Sequence, residues 1–137
     1  MGELTMSNTR RHLRPKGFPP QDQEMGYSYG LQVGNTIWVT GQIARNARGE
    51  CVGVNDPERQ AEEVFRNIAA VLAEADATLD DVVQLTIFLR DPSVAKPVQQ
   101  VRKRMFKSPY PTAAMVLAPL PIPDYLMEIQ AVAVVDR

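Results

Sequence analysis

Residues 27–42 read YSYGLQVGNTIWVTGQ and predict a β-hairpin. The turn falls at Gly34-Asn35, and residues 36–40 are rich in side chains that are favoured in strands. Because side chains along a strand alternate between two faces, Ile37 and Val39 should point to one side, and Trp38 to the other. The hairpin is therefore apolar on one face and mixed on the other.

The next segment predicts a helix that covers the apolar face of this hairpin. Asp56 is a suitable N-cap, and Pro57 suits the first helical position, where a backbone N–H is not needed. Apolar residues then recur at intervals of three and four, which places them on one stripe of a helix. They are Ala61, Val64, Phe65, Ile68, Val71, Leu72 and Ala75.

The rest of the chain adds three strands and a second helix. Alternating apolar residues predict a strand over residues 83–89, and further strands are expected over 112–117 and 126–135. The second helix is indicated by Val94, Val98, Val101 and Met105, with Ser93 as its candidate cap. The order ββαβαββ predicts one α/β (α+β) domain, residues 25–137, with two helices on one face of a mixed sheet.

The other face of this sheet has no cover within the chain. It should carry Trp38, Thr86, Phe88, Glu128 and Gln130. Large apolar groups mixed with polar ones are typical of a subunit interface that contains a pocket.

Residues 1–24 are predicted to be a mostly flexible N-terminal tail. Four basic residues stand there among three prolines, a composition that resists both a helix and a central strand. A basic arm for RNA or for an acidic ligand is the alternative, but nearby acidic residues make the patch weak.

The composition limits the partners. The 137 residues carry a net charge of −1, which does not favour a nucleic acid or an anionic membrane as partner. No stretch approaches the roughly 20 apolar residues that span a bilayer, and no signal peptide is evident. The single Cys51 is compatible with a reducing compartment, so a cytoplasmic location is expected.

The residue types also argue against several reactions. His12 is the only histidine and lies in the predicted tail, which disfavours Ser-His-Asp or Cys-His catalysis. One His and one Cys far apart make a poor ligand set for zinc, and no glycine-rich phosphate loop is present. Neither a metal site nor a cofactor is predicted.

Four groups of residues share an order and spacing typical of one family. They are Tyr27 followed by Gly30 and Gly34-Asn35; Thr40-Gly41-Gln42-Ile43; Asp80-Asp81-Val82-Val83 leading into Thr86-Ile87-Phe88-Leu89; and Met127-Glu128-Ile129-Gln130-Ala131-Val132-Ala133. Over nearly all of residues 26–135 the chain resembles the RidA (YjgF) family of imine and enamine deaminases. The resemblance implies a chorismate-mutase-like homotrimer with three pockets, each between adjacent subunits.

The resemblance also implies which residues bind a substrate. Those that fall where family members line the pocket are Tyr27, Gly41, Phe88, Ala114 and Glu128. In active members an arginine on the fourth strand pairs with the substrate carboxylate. The glutamate that matches Glu128 helps to place the water that attacks the C=N carbon. A planar bidentate cation can fix a carboxylate, and a positioned carboxylate can orient a nucleophile.

The chain departs from the family at that arginine. Thr112 stands in its place, and Gln130 stands where another acidic residue is common. Losing a bidentate charged contact from a buried site costs about 2–5 kcal/mol, so ordinary imines derived from amino acids are expected to be poor substrates. The threonine hydroxyl can still form a hydrogen bond, which suits a neutral or differently oriented ligand.

Three functions remain open. The first is a hydrolytic deaminase of reactive enamine or imine metabolites, in which Glu128 places the water and Thr112 alters the substrate preference. The second is a non-catalytic trimer that binds or senses a small metabolite. The third is an RNA-directed, endoribonuclease-like activity, which the near-neutral charge and the missing histidine base disfavour.

The candidate site residues also have purely structural interpretations. Glu128 can pair across the trimer interface, while Tyr27 and Phe88 can be packing aromatics. Gly41 can be present because a side chain would collide with a neighbouring backbone.

Overall fold

A computed structural model describes residues 9–136, and in this range it shows a six-stranded sheet with three helices. The strands are β1 (Arg11–Leu13), β2 (Gly30–Val33), β3 (Thr36–Gln42), β4 (Val82–Leu89), β5 (Thr112–Leu117) and β6 (Met127–Val134). The helices are α1 (Gln21–Met25), α2 (Pro57–Ala73) and α3 (Ala95–Met105). From β2 onward, the predicted order ββαβαββ is confirmed.

The strands lie side by side in the order β1-β2-β3-β6-β4-β5. β4 and β5 run parallel and the other neighbours run antiparallel, so the sheet is mixed, as predicted. Helix α3 forms the crossover between β4 and β5, because parallel strands cannot be joined by a tight turn. The last strand inserts between β3 and β4, which places Glu128 opposite Phe88 in the interior of the sheet.

The core lies between the sheet and helices α2 and α3. Helix α2 begins as predicted: the Asp56 side chain accepts a hydrogen bond from the Arg59 backbone N–H at 3.1 Å, and Pro57 is the first helical residue. The stripe predicted for this helix is buried, from Ala61 to Ala75. The cap before α3 is not Ser93 but Asp91, whose carboxylate accepts a hydrogen bond from the backbone N–H of Ser93 at 2.8 Å.

The segment before β2 differs from its prediction as a flexible tail. Residues 9–24 pack onto the domain, while residues 1–8 lie outside the described residues. Strand β1 pairs antiparallel with β2 and buries Leu13. Arg14 then forms an ion pair with the fully buried Asp22, with 3.2 Å between Nε and Oδ2. Local composition does not reveal this structure, because β1 obtains its hydrogen bonds from an already formed hairpin.

No segment within residues 9–136 covers the face of the sheet opposite the helices. Trp38 is 47% exposed, Val116 43% and Val134 43%, although all three are large apolar residues. Apolar side chains grouped on one exposed face favour contact with another protein surface. This matches the mixed, unpartnered face that the sequence predicts.

Candidate functional site

A cleft of about 330 Å³ opens beside the ends of β3 and β6. Its walls come from α1, the residues before β2, the end of β3 with the loop that follows, the loop before β6, and the first half of β6. The side chains and backbone that matter chemically are those of Tyr27, Tyr29, Gly41, Arg45, Glu128 and Gln130. Volumes of this order suit a small metabolite.

An irregularity in β3 brings Gly41 against Glu128. The pairing of β3 with β6 shifts register between Val39 and Gln42, as at a β-bulge, which bends the strand locally. A Cβ atom on Gly41 would collide with the Glu128 carboxylate and would lie 2.9 Å from its Cγ and Cδ. Gly41 therefore leaves room for the Glu128 side chain, not for a neighbouring backbone as the sequence suggested.

Glu128 is a partly buried carboxylate without a cation. No Lys, Arg or His among residues 9–136 lies within ion-pair distance of it, and burial raises the pKa of its carboxyl above the usual value. A carboxylate with a raised pKa holds a proton more strongly and is a better general base when ionised. The alternative that Glu128 pairs across the trimer interface stays a prediction, because its partner would belong to another subunit.

Two tyrosines form the wall nearest to the N-terminal segment. Tyr27 and Tyr29 are in edge contact, with ring centroids 5.6 Å apart. The Tyr29 hydroxyl donates a hydrogen bond to the Pro19 carbonyl at 2.7 Å, and burial together with the neighbouring Tyr27 raises the pKa of Tyr29 to about 12. Tyr29 is thus a neutral, fixed support, while the less buried Tyr27 faces the cleft.

Arg45 is the cleft residue that sequence reasoning missed. It follows β3 by three positions, and its backbone pairs with Cys51 in an isolated bridge. The Asn67 side chain donates to the Arg45 carbonyl at 3.0 Å, so the backbone here is fixed from two sides. The available signal was a cation two residues after the Thr40–Ile43 motif.

The structure brings together some of the predicted site residues and separates others. Tyr27, Gly41, Glu128 and Gln130 share the cleft, while Phe88 lies beside Glu128 on β4. Thr112 and Ala114 do not reach the cleft of their own chain. Both are on β5, which is separated from β6 by β4, so they lie roughly 10 Å to the side of β6.

Thr112 is held by its own sheet. Its Oγ1 donates a hydrogen bond to the Val83 carbonyl at 2.9 Å, and the residue is exposed. Ala114, also exposed, pairs with Thr86. Both residues therefore face outward from the single chain at the sheet edge.

The described part of the chain offers no metal centre. Between residues 9 and 136 no group of three His, Cys, Asp or Glu side chains is arranged to hold an ion. Cys51 is half-buried, and burial raises the pKa of its thiol. In the same range, no helix has the length and apolar character needed to cross a bilayer.

The part of the chain that matches known proteins includes every residue that lines the cleft. The family model described as Endoribonuclease L-PSP matches residues 20–135. The 2-iminobutanoate/2-iminopropanoate deaminase of Dermatophagoides farinae is 33% identical over 120 residues, which cover 86% of this chain and 93% of that protein. The 3-aminoacrylate deaminase RutC of Acinetobacter baylyi is 31% identical over 121 residues, which cover 88% and 94% respectively.

The fold is shared with a solved structure as well. The crystal structure of RidA from an Antarctic Psychrobacter species superposes with a TM-score of 0.82 at 30% identity. The match covers 92% of this chain and 100% of the other. The two proteins therefore share the same fold over nearly their whole length.

Proposed function

The chain belongs to the RidA (YjgF) family, and on that basis we propose that it is a hydrolytic deaminase of reactive enamine or imine metabolites. The observation that carries the proposal is the Glu128 carboxylate, which lies in the cleft against Gly41 with a raised pKa and no cation beside it. A carboxylate of this kind can accept a proton from water. The deaminase names of two relatives support the same class of reaction.

The proposed reaction is the hydrolysis of a C=N bond. Glu128 accepts a proton from water as the water oxygen bonds to the imine carbon, and the π electrons move to nitrogen. Glu128 then returns the proton to that nitrogen, which gives a carbinolamine. The C–N bond breaks, the proton of the new hydroxyl goes to the departing nitrogen, and a carbonyl compound and ammonia are released. An enamine first becomes an imine by gaining a proton at carbon and losing one from nitrogen.

The proposed enzyme is a homotrimer. The exposed face with Trp38 and Val116 needs an apolar cover, and further copies of the same face would supply it. In a single chain the cleft is open, and Thr112 and Ala114 lie outside it. A neighbouring subunit whose β5 strand lies against the open side of the cleft would complete it with its own Thr112 and Ala114.

Thr112 should give the enzyme an altered substrate preference. A hydroxyl that already donates to Val83 can only accept a hydrogen bond from a ligand, whereas a guanidinium donates two parallel bonds to a carboxylate. The difference is about 2–5 kcal/mol for a buried contact. A substrate whose carboxylate must be held at this wall should therefore be a poor one.

The test is ammonia release from freshly generated 2-iminobutanoate and 3-aminoacrylate, with Glu128→Gln as the main variant. Glutamine keeps the shape but cannot take a proton, so kcat should fall by about 100-fold or more. Glu74→Gln, at an exposed carboxylate beyond the end of α2, is the matched control and should keep full activity. A wild type that accelerates neither reaction would refute the proposal for these carboxylate substrates, and a fully active Glu128→Gln variant would refute the role of Glu128.

A binding protein without chemistry is the second candidate, and the observation that favours it is Thr112. Without the arginine, the trimer could hold a metabolite in the cleft and leave it unchanged. Thermal-shift screening would then find a stabilising ligand that is recovered intact. Turnover of that ligand would exclude this candidate in favour of the deaminase.

An RNA-directed activity is the weakest candidate, and it derives from the family description as an endoribonuclease. The only imidazole of the chain, His12, is exposed on β1 and does not line the cleft. Cleavage of single-stranded RNA that is lost in a His12→Ala variant would support this activity. Unchanged RNA after incubation with the trimer would remove it.

A further inference from the structure

We infer that Arg45 binds the carboxylate of the substrate, in the same cleft in which Glu128 acts. This inference rests on the proposed function and names its substrate class: an imine or enamine that carries a carboxylate. The anion would be held by the subunit that contributes Glu128, instead of by the β5 strand where Thr112 stands. A carboxylate-binding arginine at position 45 would account for a chain that keeps Glu128 but has Thr112 where family members have an arginine.

The Arg45 backbone is fixed by the fold. Its N–H donates to the Ile43 carbonyl at 2.8 Å, and its carbonyl accepts from Asn67 on α2. The bridge with Cys51 holds the segment from the other side. A long cationic side chain that starts from a rigid backbone loses less conformational freedom when it binds a ligand.

The guanidinium has no anionic partner in the described part of the chain. With the Gln21 amide turned so that its oxygen faces Arg45, Gln21 accepts hydrogen bonds from Nη1 and Nη2. No other acceptor within residues 9–136 is bonded to this side chain, which leaves three of its five N–H donors for a ligand. Since Gln21 is neutral, the charge of Arg45 is uncompensated.

Apart from Glu128, two carboxylates that flank this region are already paired. Asp22, next to Gln21, is held by Arg14 at 3.2 Å. Glu63, which with Arg45 lines an adjoining cavity of about 230 Å³, lies 3.6 Å from Arg59. Within residues 9–136 no carboxylate is paired with Arg45, so an external anion is an available partner for this half-buried cation.

The cleft thus contains one unpaired cation and one unpaired anion, which are not bonded to each other. A ligand with a carboxylate at one end and an imine N–H at the other would complement both, with the carboxylate on Arg45 and the N–H donating to Glu128. The guanidinium can bind the carboxylate through two parallel hydrogen bonds, and this would fix the direction in which the C=N carbon faces Glu128. A neutral ligand would leave the charge of Arg45 unmatched.

The test compares binding of a stable acid with binding of its neutral amide. Calorimetry with 2-oxobutanoate and 2-oxobutanamide needs no turnover, because both lack the reactive nitrogen. In Arg45→Gln, affinity for the acid should fall by about 10- to 100-fold, while affinity for the amide should stay unchanged. Arg45→Lys should retain part of the preference for the acid. Arg48→Gln, an exposed arginine outside the cleft, should behave like the wild type.

Each outcome separates this inference from the proposed function. Equal losses for acid and amide in Arg45→Gln would make Arg45 merely structural and overturn the inference, and so would a wild type that does not prefer the acid. Acid binding that depends on Arg45 in a protein without deaminase activity would support the inference and reject the hydrolase. Deaminase activity that survives in Arg45→Gln, together with unchanged acid binding, would support the hydrolase and overturn the inference about Arg45.

Discussion

Replacing Gly41 by alanine should remove most of the proposed deaminase activity while changing stability only slightly. The new methyl group would collide with the Glu128 carboxylate and lie 2.9 Å from its Cγ and Cδ, so the side chain must swing aside. Because the obstructed atoms belong to the end of a flexible side chain, the move costs about 0.5–1.5 kcal/mol in rotamer strain. A catalytic group displaced by about 1 Å can lose on the order of 100-fold in rate.

Gly34→Ala provides a matched control for this experiment. Gly34 lies in the β2–β3 turn with φ of +58°, and an added Cβ there meets no atom within 4 Å. Alanine in the left-handed region costs about 1–2 kcal/mol, so the control loses at least as much stability as Gly41→Ala, at a site far from Glu128. Ammonia release and urea denaturation at one protein concentration should show loss of activity only in Gly41→Ala. Wild-type activity in that variant would refute the assigned role of the Gly41–Glu128 contact.

Four further predictions concern position 112, the pH dependence of activity, the pH dependence of stability, and the assembly. Thr112→Arg should raise kcat/KM for 2-imino acids by about 10-fold or more in the ammonia assay, and a folded, trimeric but inert variant would contradict the assignment of this position. Activity should fall as the pH drops through the pKa of Glu128, which lies above its usual 4.5, because the protonated acid cannot accept a proton. The residual activity of Glu128→Gln should not show this fall at acidic pH. The folded state binds the Glu128 proton more tightly than the unfolded state does. Protonation of Glu128 therefore stabilises the fold at low pH, and this stabilisation is lost as pH rises through the folded pKa. Denaturation should accordingly show Glu128→Gln more stable than the wild type near neutral pH, by a margin that shrinks on acidification. Trp38→Glu should convert the proposed trimer to smaller species in sedimentation, and an undisturbed trimer would place Trp38 outside the interface.

The elements with strong local signals were predictable from sequence. The β2–β3 hairpin has a two-residue turn with a glycine, and α2 has an N-cap, a proline and a regular apolar stripe, so both formed where expected. The N-terminal strand was not predictable, because its three residues become a strand only by pairing with β2. The ion pair between Arg14 and Asp22 likewise depends on a bend that composition does not encode.

The cleft was predictable only in part. Glu128 and Gly41 were identified through a family resemblance, and the structure adds the physical reason why they occur together. Arg45 was missed because its sequence neighbours suggest an ordinary polar loop. Its position depends on the irregularity in β3, the bridge with Cys51 and the bond from Asn67, which all join residues distant in sequence.

Strand β1 also affects how the molecule behaves in a crowded solution. It has only three residues, and two of them, Arg11 and His12, are exposed on the outer margin of the sheet. A short edge strand with basic side chains discourages a second molecule from pairing its own strand there. Such edge-to-edge pairing is a common origin of fibres. Trimming the chain beyond Leu13 would expose the backbone of β2, and the first symptom should be self-association instead of lost chemistry.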